Sequence, residues 1–179
     1  IKAVHWAARQ KADILIVECM AVKPELQRIC EQRILTADIT AITNVREDHL
    51  DEMGASLDSI AHSLAQTIPT NAVFFTADAA YFPFFRQVCA SRHSRAFLSG
   101  EQLEQYREID FPDNVALALE ICRYLGVDTQ KALSAMKSYY KDPGSLKVVA
   151  YRNAKGSTVF FINTLAANDP CSTEIILKN

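Results

Sequence analysis

Residues 39–76 read ITAITNVREDHLDEMGASLDSIAHSLAQTIPTNAVFFT, and this stretch decides the fold. It begins with the apolar run Ile39–Thr43 and ends with the apolar run Ala72–Thr76, each short enough to be a buried strand. Between them, Ser56–Gln66 carries apolar residues at helical spacing. A strand, a helix and a second strand in this order predict a crossover unit with parallel strands.

The alternation of helices and strands continues on both sides of this stretch. Upstream, the helix Lys2–Gln10 precedes the aliphatic run Ala12–Glu18, which we predict to be a parallel strand covered on both faces. Pro24 marks the first turn of a helix that runs to Arg33. Downstream, the predicted helices are Ala79–Ala90, Asp113–Leu125 and Thr129–Tyr139. The chain is therefore predicted to be an α/β protein with a parallel sheet.

The pattern changes at Asp142–Gly144, whose Asp-Pro-Gly sequence is typical of a turn or linker. Beyond it, Lys147–Ala150 and Thr158–Ile162 are predicted strands joined by a polar hairpin loop. We therefore predict a first domain in residues 1–142 and the start of a second in residues 143–179. Because the chain starts at Ile1 without a methionine and stops within a predicted helix, we expect both ends to be truncated.

Composition excludes several classes of protein. The 179 residues are 49% hydrophobic and 22% charged, with a net charge of −2, which gives no basic field for nucleic acid. Five widely spaced cysteines without a C-x-x-C pair argue against a disulfide framework and a zinc knuckle, and favour a reducing, cytoplasmic compartment. No apolar run approaches the ~20 residues that span a bilayer. The chain also opens without the pattern of a secretory signal.

Acidic residues follow the predicted strands. Glu18 closes the first strand, Glu47–Asp51 follows the second and Asp78 follows the third. Ligands of open parallel sheets bind outside the carboxyl ends of the strands, and carboxylates there suit a magnesium ion that shares a phosphate. Alternatively, these acids are solvated loop residues or helix N-caps.

Two further residues invite a chemical role. His49 stands between Asp48 and Asp51, where carboxylates would orient an imidazole; the alternative is a surface or capping histidine. Cys19 is a possible nucleophile, but a cysteine at a strand end is more often a small buried hydrophobe. The five glycines are not clustered and no G-x-x-x-x-G-K-[ST] motif occurs, so the residues alone predict no ATP site.

Five blocks of sequence, in this order along the chain, point to one family: Val17–Val22, Thr43–Gly54, Phe111–Asn114, Asp142–Gly144 and Phe161–Asp169. Together they resemble the ligase subunits of capsular poly-γ-glutamate synthases, a branch of the Mur ligase superfamily. The resemblance implies that residues 1–142 belong to a central ATP-binding domain and that residues 143–179 begin a Rossmann-like carboxy-terminal domain. It also implies that the phosphate loop lies before Ile1, so this chain alone is not expected to hydrolyse ATP.

The resemblance further implies an ATP-dependent acid–amino-acid ligase. ATP would phosphorylate a terminal glutamate carboxylate, and the amine of an incoming glutamate would attack the acyl phosphate. Glu18 and His49 would be catalytic magnesium ligands, and ATP would be contacted by Asn114, Lys147, Asn168 and Asp169. The implied partners are glutamate, poly-γ-glutamate and membrane-associated capsule synthase subunits, with the protein at the inner face of the cell membrane. The alternatives are another Mur-type ligase, acting on folylpolyglutamate or a peptidoglycan precursor, or a non-catalytic nucleotide-binding scaffold.

Three departures from the family pattern affect the site. Leu64 occupies the position at which many Mur ligases carry a carbamylated lysine, so the third metal ligand is not identified. Asn163 or Thr164 stands where an aspartate usually holds ribose, which leaves Asp169 as the nearest acid. Ser145 and then Lys147 replace an expected arginine. A hypothetical acceptor groove for the acidic polymer would use Arg46, Arg86, Arg92 and Arg95.

Overall fold

The computed structural model describes residues 2–100, 106, 111–138, 147–163, 165 and 173–174. It divides into two compact units, Ile1–Met136 and Lys137–Asn179. The Asp-Pro-Gly segment at which we predicted a domain boundary lies outside the described residues, so that boundary stays a prediction. No helix in the described part of the chain is long and apolar enough to cross a membrane.

The first unit contains seven α-helices and three strands within the described ranges: α1 (Lys2–Arg9), α2 (Pro24–Ile29), β1 (Ile39–Ile42), α3 (Leu50–Met53), α4 (Leu57–Leu64), β2 (Val73–Thr76), α5 (Phe82–Ser91), β3 (Arg95–Leu98), α6 (Pro112–Tyr124) and α7 (Thr129–Ser138). A π-helical turn, Cys30–Leu35, continues α2, and a 3₁₀ turn, Ala65–Thr67, continues α4. The second unit contains β4 (Lys147–Arg152) and β5 (Thr158–Asn163).

The three strands of the first unit form a parallel sheet in the order β1-β2-β3. Ile39 pairs with Val73, and Val73 pairs with Arg95, so the strands are in register at their amino ends. This arrangement confirms the predicted parallel α/β fold. Strand β3 was not predicted, because it begins with the charged Arg95, its apolar run is limited to Ala96–Leu98, and its two end residues are exposed.

Strand β2 lies at the centre of a three-layer arrangement. Phe74 faces the layer of α4 and α5, where it packs with Ile60 and Phe85; the Phe74 and Phe85 ring centroids are 5.3 Å apart. Val73 and Phe75 face the opposite layer and pack with Leu117 of α6. Burying each of these side chains contributes about 1.5–3 kcal/mol relative to leaving it exposed.

The expectation of a buried strand at Ala12–Glu18 is wrong. This segment has no regular structure in the described chain, and Ile16 is 90% exposed. An aliphatic run becomes a buried strand only when a neighbouring strand pairs with it. Among the described strands, β1 pairs only with β2, so Ala12–Glu18 has no strand beside it. The run therefore has the composition of a strand without the hydrogen-bonding partner that would make it one.

The Arg92 side chain binds the backbone at both ends of the 3₁₀ turn that follows α4. Its Nη1 donates to the carbonyl oxygens of Ala65, at 2.9 Å, and Ile68. Burial lowers the pKa of the Arg92 guanidinium, and the nearby Cys89 and Glu31 act in the opposite direction. Nη1 of Arg92 is thus committed to backbone carbonyls, and the acceptor groove stays a prediction.

The described strands of the second unit form an antiparallel hairpin, as predicted. Lys147 pairs with Asn163 at one end, and Arg152 pairs with Thr158 at the other. The turn is closed by Asn153, whose Oδ1 accepts hydrogen bonds from the backbone N–H groups of Lys155, at 2.9 Å, and Ser157, at 3.0 Å. An asparagine side chain in this role is common in tight turns.

We expect Phe85→Ala to lower the free energy of unfolding by about 3–5 kcal/mol, because it opens a cavity beside Phe74. Urea denaturation followed by circular dichroism measures this change. Leu26→Ala is the matched control, since Leu26 is 50% exposed and should cost about 1 kcal/mol or less. If Phe85→Ala and Leu26→Ala lowered the free energy of unfolding equally, the central position assigned to β2 would be wrong.

Glu31 should make the stability of the first unit depend on pH. Burial raises the pKa of Glu31 above its ordinary value of 4.5, whereas a hydrogen bond from the Ala37 backbone and the charge of Arg92 act to lower it. A raised folded pKa gives stability that is present below 4.5 and is lost as the pH rises towards the folded value.

Glu31→Gln removes this titration and keeps an oxygen to accept from Ala37. We therefore expect the wild type to lose stability relative to Glu31→Gln as the pH rises through this window, in urea titrations made at a series of pH values. Glu25→Gln provides the control, because it makes the same chemical change at an exposed position. A wild-type curve that runs parallel to the Glu31→Gln curve would refute the assignment.

Candidate active-site rim

Asp78 joins the carboxyl ends of β1 and β2. Its Oδ2 accepts a hydrogen bond from the Val45 backbone N–H at 2.8 Å, and its Oδ1 accepts one from the Tyr81 backbone N–H at 2.9 Å. Val45 follows β1, and Tyr81 directly precedes α5. Asp78 is therefore a loop residue before α5, whose N-cap is Tyr81, and its two hydrogen bonds hold the loop after β1 to the loop after β2.

His49 lies four residues beyond Val45, at the start of α3. Its backbone φ is 47°, a left-handed conformation that is uncommon outside glycine and that often marks functional positions. Asp48 contacts it twice: Oδ1 accepts from the His49 backbone N–H at 2.9 Å, and Oδ2 lies 3.6 Å from the ring Nε2. The neighbouring carboxylate that the sequence predicted is thus in place, and the imidazole is exposed.

Glu18 lies on the exposed irregular segment that precedes α2. The carbonyl oxygen of Val22 accepts a hydrogen bond from Gln27 Nε2 at 3.1 Å, which ties the end of this segment to the first turns of the helix. Cys19 is exposed, so the expectation that it is a buried hydrophobe is wrong. Glu18 and Cys19 are both exposed because the segment that contains them does not form a strand of the sheet.

The Glu18 carboxylate is a donor that magnesium prefers, whereas the His49 imidazole is a softer ligand than the oxygens that usually bind this ion. Magnesium is usually held by one or two protein carboxylates while phosphate oxygens and waters complete an octahedron. Within the described ranges, no group of three or more histidine, cysteine, aspartate or glutamate side chains could hold a metal ion. Leu64, at the position of the family lysine, is the last residue of α4, packs against the core and offers no ligand. The protein therefore offers two candidate ligands and no third from its own side chains at that position.

Helix α6 carries the proposed nucleotide contact Asn114. Tyr124, the last residue of α6, accepts a hydrogen bond from Nη2 of Arg95 at 2.7 Å, and Arg95 is the first residue of β3. Asn114 lies in the first turn of α6 and is exposed.

The other predicted nucleotide contacts are Lys147, Asn168 and Asp169. Lys147 is exposed at the first residue of β4, in the second unit. Asn168 and Asp169 lie outside the described residues. An open groove of about 480 Å³ between α2 and α4 was not predicted; it contains none of the predicted site residues and is lined by Pro24, Asp58, Ser59, His62, Ser63 and Gln66.

Comparison with known proteins identifies three informative relatives. The chain is 36% identical over 178 residues to the capsule biosynthesis protein CapB of Bacillus anthracis, a match that covers 96% of this chain and 38% of the relative. It is also 36% identical over 173 residues to the PGA synthase CapB of Bacillus subtilis, covering 93% and 44% of the two chains.

A more distant relative is a UDP-N-acetylmuramoylalanine--D-glutamate ligase of Novosphingobium aromaticivorans, 28% identical over 152 residues, covering 78% of this chain and 33% of the relative. The chain thus spans less than half the length of these curated relatives. No protein-family model matches it, and no solved structure does. The distant match supports the predicted relationship to Mur ligases.

We expect Asp78→Ala to destabilise the first unit by about 2–4 kcal/mol, because two backbone N–H groups lose a charged acceptor. The amides of Val45 and Tyr81 should then exchange with solvent deuterium faster than in the wild type, as measured by NMR. Asp51→Ala is the control, since Asp51 is exposed. Unchanged exchange at both amides would show that Asp78 does not hold the rim.

Proposed function

This chain belongs, over the length that it shares with them, to the family of the CapB capsule biosynthesis proteins, and we propose from that premise that the whole protein is an ATP-dependent ligase of poly-γ-glutamate synthesis. The observation that carries the proposal is the 36% identity over nearly the whole chain. The named glutamate ligase among the distant relatives supports the same chemistry.

The proposed reaction has two steps. A terminal carboxylate of the acceptor attacks the γ-phosphorus of ATP, which forms an acyl phosphate and releases ADP. The amine of an incoming glutamate then attacks the acyl carbon, and inorganic phosphate leaves as the amide forms. Catalysis of such steps depends mainly on positioning and on stabilising the charge of the transferring phosphoryl group.

The residues of the rim have proposed parts in this reaction. Glu18 and His49 would hold Mg²⁺, which supplies charge neutralisation on the phosphates when it is bound. Asp48 orients the His49 imidazole, as its contacts with the backbone and ring indicate. The proposed nucleotide contacts remain Asn114, Lys147, Asn168 and Asp169.

Asp78 supports the site without contacting a substrate. It fixes the loop that leads from β1 to His49 against the loop that follows β2. A loop held by backbone hydrogen bonds keeps its side chains within a narrow range of positions, which is what a phosphoryl-transfer site requires.

A second candidate is a Mur-type ligase that acts on a peptidoglycan precursor, favoured by the match to the UDP-N-acetylmuramoylalanine--D-glutamate ligase. Both candidates join glutamate through an activated carboxylate and differ in the acceptor. For the poly-γ-glutamate ligase we also propose membrane-associated synthase subunits as partners and a position at the inner face of the cell membrane.

The test uses the full-length protein with ATP, Mg²⁺, glutamate and γ-linked glutamate oligomers. We expect phosphate release together with longer γ-glutamyl products, detected by a phosphate assay and mass spectrometry. Glu18→Gln and His49→Ala should each lower the rate by at least about 100-fold. Glu25→Gln and His5→Ala change exposed residues of the same types and should leave the rate unchanged.

Three outcomes would contradict parts of the proposal. Phosphate release that requires a nucleotide-linked peptide, and not glutamate oligomers, would assign the protein to the peptidoglycan branch. Nucleotide binding without any turnover would indicate a scaffold. Full activity in both site variants would remove Glu18 and His49 from the catalytic machinery and leave the family assignment intact.

A further inference from the structure

Lys23 and Glu52 form an ion pair between two parts of the candidate site. Lys23 Nζ lies 3.6 Å from Glu52 Oε1, and both residues are exposed. Lys23 is the N-cap of α2, at the end of the irregular segment that carries Glu18. Glu52 lies in α3, the helix whose N-cap is His49. The ion pair therefore connects the segment of one proposed metal ligand to the helix that begins at the other.

The Glu52 end of the pair belongs to the first turn of α3. The carbonyl oxygen of His49 accepts hydrogen bonds from the backbone N–H groups of Glu52, at 3.0 Å, and Met53, at 2.9 Å. Glu52 thus lies about one helical turn beyond His49 on the same short helix. The position of the Glu52 side chain is therefore tied to the backbone that presents the His49 imidazole.

The Lys23 end is fixed by Gln27, a buried polar residue of α2. Gln27 is 1% exposed, and its Nε2 donates to the carbonyl oxygen of Val22 at 3.1 Å. Its Oε1 accepts a hydrogen bond from the Ser63 hydroxyl at 3.4 Å, and its backbone N–H donates to the carbonyl oxygen of Lys23 at 3.0 Å. The end of the Glu18 segment is therefore held against α2 and, through Ser63, against α4.

These contacts limit how far Glu18 can move from α3. The chain from Glu18 to Lys23 spans at most about 17 Å when it is fully extended. Gln27 fixes the end of this chain against α2, and the ion pair adds a direct link to α3. Restricting the segment before a ligand binds removes part of the conformational entropy that would otherwise be lost on binding.

The ion pair of Arg123 with Glu120 provides a comparison. Arg123 Nη1 lies 2.8 Å from Glu120 Oε2, and the two residues are three positions apart. Both belong to α6, so this shorter ion pair joins no separate segments of the chain. A role that depends on linking two segments is therefore expected of Lys23 and Glu52 and not of Arg123 and Glu120.

We propose that Lys23 and Glu52 are positioning residues of the ligase, which hold the Glu18 segment beside α3 during the reaction. This inference rests on the proposed function and extends it to a pair that contacts no substrate. An exposed ion pair contributes little to the stability of a protein. Its effect on the reaction comes from the geometry that it maintains, since a misplacement of about 1 Å can lower a rate about 100-fold.

The first test cross-links the full-length wild-type protein and needs no enzymatic activity. A carbodiimide activates a carboxylate, and a lysine amine in contact with it forms an amide while a urea leaves with the carboxylate oxygen. We expect mass spectrometry after proteolysis to find Lys23 joined to Glu52. The cross-link should be lost in Glu52→Gln and kept in Glu25→Gln. A wild type in which Lys23 is joined to another carboxylate, or to none, would overturn the proposal.

The second test exchanges the two charges in the full-length ligase. Lys23→Glu places two carboxylates opposite each other, and we expect kcat to fall at least about tenfold with little change in KM for glutamate. The double variant Lys23→Glu/Glu52→Lys restores the attraction and should recover kcat to within about threefold of the wild type. Arg123→Met breaks the comparison pair and should leave kcat unchanged.

Urea denaturation of the same variants separates positioning from stability. The midpoint of each variant should stay close to the wild-type value, because both residues of the pair are exposed. Loss of kcat together with stability, or a double variant as slow as Lys23→Glu, would overturn the positioning role. A wild type that shows the cross-link but no turnover would contradict the proposed function and the role that rests on it, whereas turnover without the cross-link would contradict the pair alone.

Discussion

Burial of β2 on both faces is the constraint on which the rest of the first unit depends. Phe74 and Phe75 are consecutive residues with no exposed surface, and the pleat of a strand sends them to opposite sides. One side must therefore be covered by α4 and α5 and the other by α6. The presence of helices on both sides of the sheet follows from covering these two faces.

A few polar side chains complete the packing around this core. Arg92 satisfies the carbonyl groups at the end of the turn after α4, and the Glu31 carboxylate accepts from the backbone of Ala37. Among the described residues, no buried side-chain nitrogen or oxygen lacks a hydrogen-bond partner. Because an unpaired buried polar group costs about 1–3 kcal/mol, this pairing is what allows charged groups so close to the core.

The parts of the fold that could be predicted were those with a local signal. The strands β1 and β2 and the turn at Asn153 can be recognised from their own residues. Strand β3 begins with a charged residue, and both of its end residues are exposed. The run at Ala12–Glu18 shows the limit of such patterns, because pairing is decided by a neighbour that the run does not contain. The site was less predictable still: Glu18 and His49 were identified as metal ligands through a family resemblance, and the hydrogen bond from Val45 to Asp78 joins residues that are distant in sequence.

The two proposed metal ligands differ in how firmly the chain holds them. His49 follows a loop fixed by Asp78 and is contacted by Asp48, whereas Glu18 lies on an exposed segment anchored at Val22. Fixing the backbone of one residue costs about 1–2 kcal/mol, so ordering the few residues around Glu18 consumes part of any binding free energy. Contacts that cover Ile14–Val17 would lower this cost, because the same apolar side chains that are now exposed would then hold Glu18 in place. Covering the exposed aliphatic run would therefore reduce the cost of ordering Glu18 as a proposed metal ligand.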